Sequence, residues 1–343
     1  MATPEPSTPE NASLNAEEHT STSAGADSET KAGHGQGNTD IIEERRSTGT
    51  PEVSTDVVGD LEIPQSGMPT LGGMQFWGDV RFLQGWKIQE NVLTGHFRLL
   101  NPDQRRFASG SREVCDRMLE AVSRKHRLKP DVGRAVIVLH GIGRSSRSFA
   151  DLSAALRRDG FVVVPFEYPS TRIPLEQSAE YLHEVIQSMP SVTSIDFVVH
   201  SMGGLVLRSY LASHSDARLH RAVMMGTPNS GAELADMLHR NTIYRIVYGP
   251  AGQQLVTHED GTIPRLPLPP FEVGIIAGGN GTDRGYNPIL PGDNDGTVTI
   301  ASARLPGAKD FLRIPRLHSF LMSDPVAIDS TCRFLREGRF CEE

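Results

Sequence analysis

The chain of 343 residues has little cysteine, only two tryptophans and no long apolar run. Its three cysteines are few and odd in number, which predicts a reducing compartment rather than a disulfide framework. No stretch approaches the roughly 18 apolar residues of a membrane-spanning helix. The N-terminus also lacks the basic start and apolar core of a secretory signal. We therefore expect a cytoplasmic protein without a transmembrane segment.

An excess of positive charge is also missing, because 34 lysines and arginines stand against 42 aspartates and glutamates. Residues 1–66 carry thirteen acidic and three basic side chains, a net charge of −10, whereas the whole chain carries −8. The remainder is close to neutral and lacks the basic footprint of a nucleic-acid-binding protein. We therefore expect no nucleic-acid partner.

Aromatic side chains are absent from the first 75 residues, and the first aromatic residue is Phe76. Residues 1–66 are instead rich in Ser, Thr, Glu, Pro, Gly and Ala. Such a segment cannot bury enough apolar surface to offset the entropy of ordering it. We predict a disordered acidic tail over residues 1–66, which serves either as a spacer or as a segment that binds a partner.

Residues 67–130 are predicted to form a hairpin and a helix that pack on the main domain. Both tryptophans, Trp77 and Trp86, lie in an alternating pattern with turn residues, which predicts a small hairpin that begins the central sheet. A helix is expected over residues 112–127, with Ser111 as its N-cap and an apolar stripe on one face.

Residues 131–343 are predicted to form the main domain, because short apolar strands alternate there with helical segments, as in βαβ units. The predicted strands are 135–139, 161–166, 195–200, 222–225, 271–277 and 311–314, and the predicted helices are 148–158, 174–189, 202–213 and 326–336. This pattern predicts the α/β class, with a mostly parallel central sheet and helices on both faces. Between residues 227 and 270 it breaks down, and the apolar residues of this insertion either form a lid or pack on the sheet.

The end of one predicted strand carries the strongest chemical signal, in the sequence His-Ser-Met-Gly-Gly. A lone serine between an apolar strand and a helical pattern is typical of a nucleophile elbow, in which a strained turn presents the side chain. The residues two before and two after the serine must be small, because the backbone is crowded there. Gly203 meets this requirement and Val199 does not. The sequence therefore predicts Ser201 as the nucleophile of a variant elbow.

The base and the acid of such a site follow the serine along the chain. Of the five histidines beyond Ser201, His318 alone follows the last predicted strand, and we predict it as the base. For the acid, Asp295 is the better candidate and Asp293 the alternative, in a loop that precedes His318; Asp260 is a more distant third.

The Asp-Asn-Asp-Gly segment that contains the candidate acids has two other interpretations. These residue types favour turns, so the segment could be a turn without a chemical role. It also resembles the start of an EF-hand loop. A calcium site is excluded because the twelfth position of that loop would be Ser302 rather than glutamate.

Acyl transfer also requires two backbone N–H groups that stabilise the developing oxyanion. One is expected from the residue after the nucleophile, Met202, and one from the loop that follows the predicted strand 135–139. That loop reads His-Gly-Ile-Gly, so Ile142 is the second expected donor. His140 and His200, which flank the site, are predicted to make structural hydrogen bonds.

Four motifs resemble those of a known family: His140–Gly143, His200–Gly204, Gly226–Gly231 and Asp295–Val298. From about residue 134 to the C-terminus the chain resembles the bacterial triacylglycerol lipases and esterases of the α/β-hydrolase superfamily. It is also similar to the neighbouring group that deacylates lipid-anchored inositol. The resemblance implies an α/β-hydrolase fold and the same site residues: Ser201, Asp295 and His318 as the triad, and Ile142 and Met202 as oxyanion donors.

We therefore expect a serine hydrolase that cleaves carboxylic esters, of lipids or of other acyl groups, through an acyl-enzyme. The resemblance implies no cofactor and no metal. Expected partners are a small-molecule or lipid ester and, transiently, a lipid surface. A thioesterase or an acyltransferase would use the same triad. A binding protein would retain the scaffold without reacting.

Overall fold

The computed structural model describes residues 73–232, 235–236, 249–255 and 261–341. The acidic tail predicted over residues 1–66 lies outside the described residues. Residue 260, one of the candidate acids, also lies outside them, and so do residues 237–248 of the predicted lid.

A parallel sheet forms the centre of the described structure. Its strands are, in chain order, β5 (Gly133–Leu139), β6 (Val162–Phe166), β7 (Val192–His200), β8 (Leu219–Met225), β9 (Glu272–Gly278) and β10 (Asp310–Ile314). They lie side by side in the order β10-β9-β8-β7-β5-β6, and every neighbouring pair is parallel. The strand that leads to the serine therefore lies inside the sheet, between β5 and β8.

Helices cover both faces of this sheet. On one face lie α2 (Ala150–Arg158) and α7 (Pro325–Glu337), and on the other lie α3 (Leu175–Gln187) and α4 (Met202–Ser213). The helix α1 (Arg112–His126) packs on a second, antiparallel sheet. Two short helices are α5 (Thr262–Arg265) and α6 (Ile300–Ala303). Short 3₁₀ helices span Met74–Phe76, Ser146–Phe149 and His318–Ser323. None of the helices in the described ranges is long and apolar enough to span a membrane.

Strand periodicity explains the two-sided core. Alternate residues of a strand point to opposite faces of the sheet. In β5, Val136 and Val138 pack with α2 and α7, whereas Ile137 and Leu139 pack in a second cluster with α3 and α4. Because both faces are buried, the strand is an unbroken apolar run. The predicted α/β class, with a parallel central sheet and helices on both faces, is confirmed, and the arrangement is that of the α/β-hydrolase fold.

The predicted hairpin exists, but the prediction that it begins the central sheet is wrong. The strands β1 (Trp77–Leu83), β2 (Trp86–Asn91), β3 (Phe97–Leu100) and β4 (Arg106–Gly110) form a separate antiparallel sheet in that order. Each strand pairs with the next along the chain, so the ladder is completed locally without an edge of the central sheet. The helix α1 then begins at the predicted cap, since Ser111 Oγ accepts a hydrogen bond from Val114 N at 3.4 Å.

A buried ion pair joins the antiparallel sheet to the parallel one. Lys87 Nζ lies 2.8 Å from Asp79 Oδ2, and both side chains are at most 3% exposed. Lys87 also donates to the carbonyl of Pro165 in β6, while Asp79 Oδ2 accepts from Glu167 N at 2.8 Å. Gln89 Nε2 donates to the other carboxylate oxygen at 2.6 Å. Additional hydrogen bonds of this kind are what allow a charge pair to remain buried.

Breaking this pair is predicted to destabilise the fold strongly. Asp79→Ala leaves the Lys87 ammonium buried without its anion, which should lower the free energy of unfolding by about 3–5 kcal/mol. The control is Asp116→Ala, which breaks the partly exposed Arg81–Asp116 pair and should cost at most about 1 kcal/mol. Urea unfolding of both variants measures the difference. Equal losses would contradict the role of the buried pair.

Candidate active site

Ser201 lies at the turn between β7 and α4, with a strained backbone. Its φ is 55° and its ψ is −126°, a conformation that residues other than glycine rarely adopt. The turn stands at the carboxyl end of a central strand and directly before the first residue of a helix. This is the strand–turn–helix geometry of a nucleophile elbow.

Two glycines after the serine permit close packing of α4. A Cβ atom on Gly203 would lie 2.6 Å from the carbonyl oxygen of Leu139, and one on Gly204 would lie 2.3 Å from Thr227 Oγ1. A side chain at position 203 would therefore clash with the backbone, which explains why a small residue is required two positions after the serine. Val199, two positions before it, is fully buried in the hydrophobic core. The valine is accommodated by core packing.

Asp295 and His318 are in direct contact. His318 Nδ1 lies 2.7 Å from Asp295 Oδ2, and the backbone N of His318 donates to the carbonyl of Asp295 at 2.9 Å. Asp295 is 1% exposed, and its other carboxylate oxygen accepts from Thr297 N at 3.0 Å and Val298 N at 2.7 Å. The carboxylate is therefore held in one orientation, aimed at the imidazole.

Asp293, the alternative acid, is bonded elsewhere. Its carboxylate accepts from Asn280 N at 2.8 Å and from Gly281 N at 3.0 Å, and it pairs with Arg313 Nη1 at 3.0 Å. These contacts tie the loop after β9 to β10. Of the two aspartates between which the sequence could not decide, Asp295 is the one that contacts His318.

His200, the residue before the serine, supports the loop that carries His318. Its Nε2 lies 3.0 Å from the carbonyl oxygen of His318, and the two rings are 4.5 Å apart. Because a carbonyl can only accept, Nε2 carries the hydrogen. Burial, together with the nearby His318 and Arg144, holds the pKa of His200 well below its ordinary value. His200 is therefore neutral and donates a hydrogen bond to the loop that carries His318.

These side chains meet at one cavity of about 230 Å³, lined by Ser201, His200 and His318. Its apolar lining consists of Ile142, Pro228, Ala232, Ala235, Leu255 and Val298. Four of these residues, from Pro228 to Leu255, belong to the 227–270 insertion. The described part of the insertion thus contributes apolar walls to the site.

The two predicted oxyanion donors belong to the two turns that meet at the serine. Met202 begins α4, so its N–H is among the first helical amides, which have no acceptor within the helix. Ile142 lies in the turn after β5 and lines the cavity. That turn approaches the serine closely, since a Cβ on Gly141 would lie 3.0 Å from Ser201 Cβ. Glycine at position 141 therefore allows the loop to approach Ser201 closely.

Comparisons with known proteins give similarity at the level of the fold. A family model described as a domain of unknown function (DUF7379) matches residues 107–257. No curated protein matches the chain.

Three of the similar solved structures have low sequence identity to this chain. The product of the gene lin2722 from Listeria innocua is 19% identical, over 60% of this chain and 95% of that one, with a TM-score of 0.43. The mature lipase BlEst2 from Bacillus licheniformis is 19% identical, over 61% and 93%, with a TM-score of 0.45. Lipase B from Aspergillus fumigatus is 12% identical, over 60% and 53%, with a TM-score of 0.43.

Sequence reasoning missed Gln75, which holds the turn after β5 from outside the central sheet. Gln75 Nε2 donates to the carbonyl of Arg144 at 2.9 Å, and its Oε1 accepts from Ser170 Oγ at 2.9 Å. Ser170 Oγ in turn accepts from Gly143 N at 2.9 Å. The contact with Arg144 spans 69 residues of sequence, so no local pattern marks Gln75.

Glu167 was missed as well, although its position offered a signal. It follows β6, the strand next to β5, and the carboxyl ends of neighbouring parallel strands meet at the same edge of a sheet. Its Oε2 lies 3.4 Å from His140 Nε2, and its Oε1 accepts from Ser146 N at 3.0 Å. Burial raises the pKa of Glu167, but His140, Lys87 and Ser146 outweigh it and lower that pKa to about 2. The ionised carboxylate therefore anchors the start of the His-Gly-Ile-Gly turn.

A pH dependence of stability follows from the neutral His200. Its pKa is lower in the folded chain than the value of about 6.5 expected after unfolding, so below that pH the unfolded chain binds the extra proton. Stability from this group is complete above about pH 6.5 and falls with pH by up to roughly 1.4 kcal/mol per unit.

The measurement is the free energy of unfolding between pH 5 and 7 for the wild type and for His200→Asn, which should show a shallower slope. Imidazole NMR provides the direct reading. A His200 ring that takes up its proton near pH 6.5 in the folded protein would contradict the prediction.

Proposed function

We propose that the protein is a serine hydrolase that cleaves carboxylic esters, with Ser201 as nucleophile, His318 as base and Asp295 as acid. The observation that carries this proposal is the 2.7 Å contact between Asp295 and His318 at a cavity that also holds the strained Ser201. Ser201 and His318 line one cavity, Asp295 contacts His318 from behind it, and the three side chains in this chain order match the requirements of acyl transfer.

The geometry supports a two-step reaction. Asp295 accepts the hydrogen of His318 Nδ1, which leaves Nε2 as the basic nitrogen. Nε2 takes the Ser201 proton as Oγ attacks the ester carbonyl, and the amides of Ile142 and Met202 stabilise the oxyanion. The proton passes to the leaving alcohol, and an acyl-enzyme remains. Water then gives a proton to His318 and attacks the acyl group. The bond from the acyl carbon to Ser201 Oγ breaks, the acid is released, and His318 returns the proton to Oγ.

The lining of the cavity favours an apolar acyl group. Six of its thirteen described lining residues are apolar, namely Ile142, Pro228, Ala232, Ala235, Leu255 and Val298, and they adjoin the polar cluster at Ser201. Such an arrangement is typical of a ligand site in which a few polar groups orient an otherwise apolar molecule. We therefore infer that the substrate is a lipid ester or another acyl ester.

Replacing the nucleophile tests the proposal without a choice of substrate. A fluorophosphonate probe reacts with activated serines and should label the wild type but not Ser201→Ala. Hydrolysis of 4-nitrophenyl butyrate by the variant should fall by a factor of about 10⁴ or more, because the acyl-enzyme cannot form. Ser213→Ala, at the exposed end of α4, is the matched control and should retain labelling. Equal labelling of Ser201→Ala and the wild type would refute the assignment.

The two aspartates provide a separate test of the acid. Asp295→Asn keeps the side-chain size but removes the carboxylate that orients His318, so kcat should fall by about 10³- to 10⁴-fold. Asp293→Asn loses the ion pair with Arg313 and should leave kcat within about threefold, since exposed pairs contribute little. Steady-state kinetics on one ester decide between them. A larger loss in Asp293→Asn would show that the acid is misassigned.

A further inference from the structure

Arg144 places a positive charge at the wall of the candidate active site. The residue is partly buried, two positions after Ile142, and its side chain lines the same cavity as Ser201 and His318. Its backbone is fixed on both sides, because Arg144 N donates to Gly141 O at 3.2 Å and Arg144 O accepts from Gln75. The position of this side chain at the cavity is thus set by the turn that follows β5.

No anion of the described structure neutralises this guanidinium. The described residues that line the cavity include no aspartate or glutamate, and within the same ranges Arg144 has no side-chain hydrogen bond or ion pair. Other arginines of the fold pair with carboxylates, in Arg134–Asp196, Arg218–Asp216, Arg221–Glu272, Arg313–Asp293 and Arg316–Asp324. Arg144 differs from them in facing a cavity with its donors unused.

A partly desolvated guanidinium binds oxyanions well, because its N–H groups match carboxylate and phosphate geometry and the bonds are charge-assisted. No lysine or other arginine is among the described residues that line the cavity, and the neutral His200 adds no charge. We propose that Arg144 selects esters that carry an anionic group, a carboxylate or a phosphate, beside the bond that is cleaved. This inference rests on the proposed ester hydrolysis and names its substrate class.

An isosteric pair of substrates isolates this role. Mono-4-nitrophenyl glutarate and 4-nitrophenyl valerate have acyl chains of the same length, and only the first carries a terminal carboxylate. A general electrostatic effect of Arg144 on the site would change both reactions alike. Anion recognition changes their ratio, so the ratio of kcat/KM for glutarate over valerate is the quantity to measure.

We expect Arg144→Gln to lower that ratio by about 10- to 100-fold, the effect of losing a hydrogen bond to a charged group, and to do so through KM. Arg144→Lys keeps the charge but loses the planar guanidinium that can bind a carboxylate with two parallel hydrogen bonds, so it should retain part of the preference. The control is Arg147→Gln, an exposed arginine three positions later that does not line the cavity. It should leave the ratio unchanged.

A second pair of substrates, short-chain phosphatidic acid and the matching diacylglycerol, tests whether the anionic group is a phosphate. A lower kcat/KM ratio in Arg144→Gln for the carboxylate pair alone assigns the site to carboxylate esters. A lower ratio for the phosphatidic acid pair alone assigns it to phosphate esters. An unchanged ratio for both pairs in Arg144→Gln overturns the inference while leaving ester hydrolysis intact.

Calorimetry with glutarate as the probe separates the two proposals. Ser201→Ala should bind glutarate, and the double variant Ser201→Ala/Arg144→Gln should bind it at least tenfold more weakly. Such binding, together with a wild type that cleaves no ester and reacts with no fluorophosphonate, would refute the hydrolase proposal and retain the anion site. Equal binding by the two variants would overturn the anion site, whatever the activity.

Discussion

The strained backbone of Ser201 is the constraint on which the rest of the site depends. A residue held at a φ of 55° persists only where its surroundings determine the conformation from several sides. Here β7 is paired on both edges inside the sheet, and Gly203 lets α4 start in contact with the carbonyl of Leu139. The strain is local, whereas the packing that offsets it extends through the buried centre of the molecule. Ser201 is thereby presented to the cavity without freedom to relax.

The proposed base, His318, is positioned by contacts of a different kind. His318 is bonded through its ring to the Asp295 carboxylate, through its backbone N to the Asp295 carbonyl, and through its own carbonyl to His200. The neutral state of His200 matters for this arrangement, because a second charged ring 4.5 Å away would repel the imidazolium that His318 must become. Burial of His200 therefore supports the proposed chemistry as well as the loop.

Most of the central fold could be predicted from the sequence, because βαβ units are local patterns and their strands are continuous apolar runs. The elbow and the positions of Ser201 and His318 followed from the same local signals and from chain order. Pairing across long distances could not be predicted in this way. For that reason the prediction that places the hairpin in the central sheet is wrong. The choice between Asp293 and Asp295 stayed open because both lie in one turn and differ only in their distant partners, Arg313 and His318.

The antiparallel sheet connects these observations. Gln75, just before β1, bonds both to the carbonyl of Arg144 and, through Ser170, to the amide of Gly143. The turn that carries one proposed oxyanion donor and the proposed anion-binding arginine is therefore held from outside the parallel sheet. The buried pair of Lys87 and Asp79 fixes that outer sheet to β6, the strand from which Glu167 reaches the same turn. A segment that precedes the region of lipase resemblance thus holds the turn at one wall of the cavity.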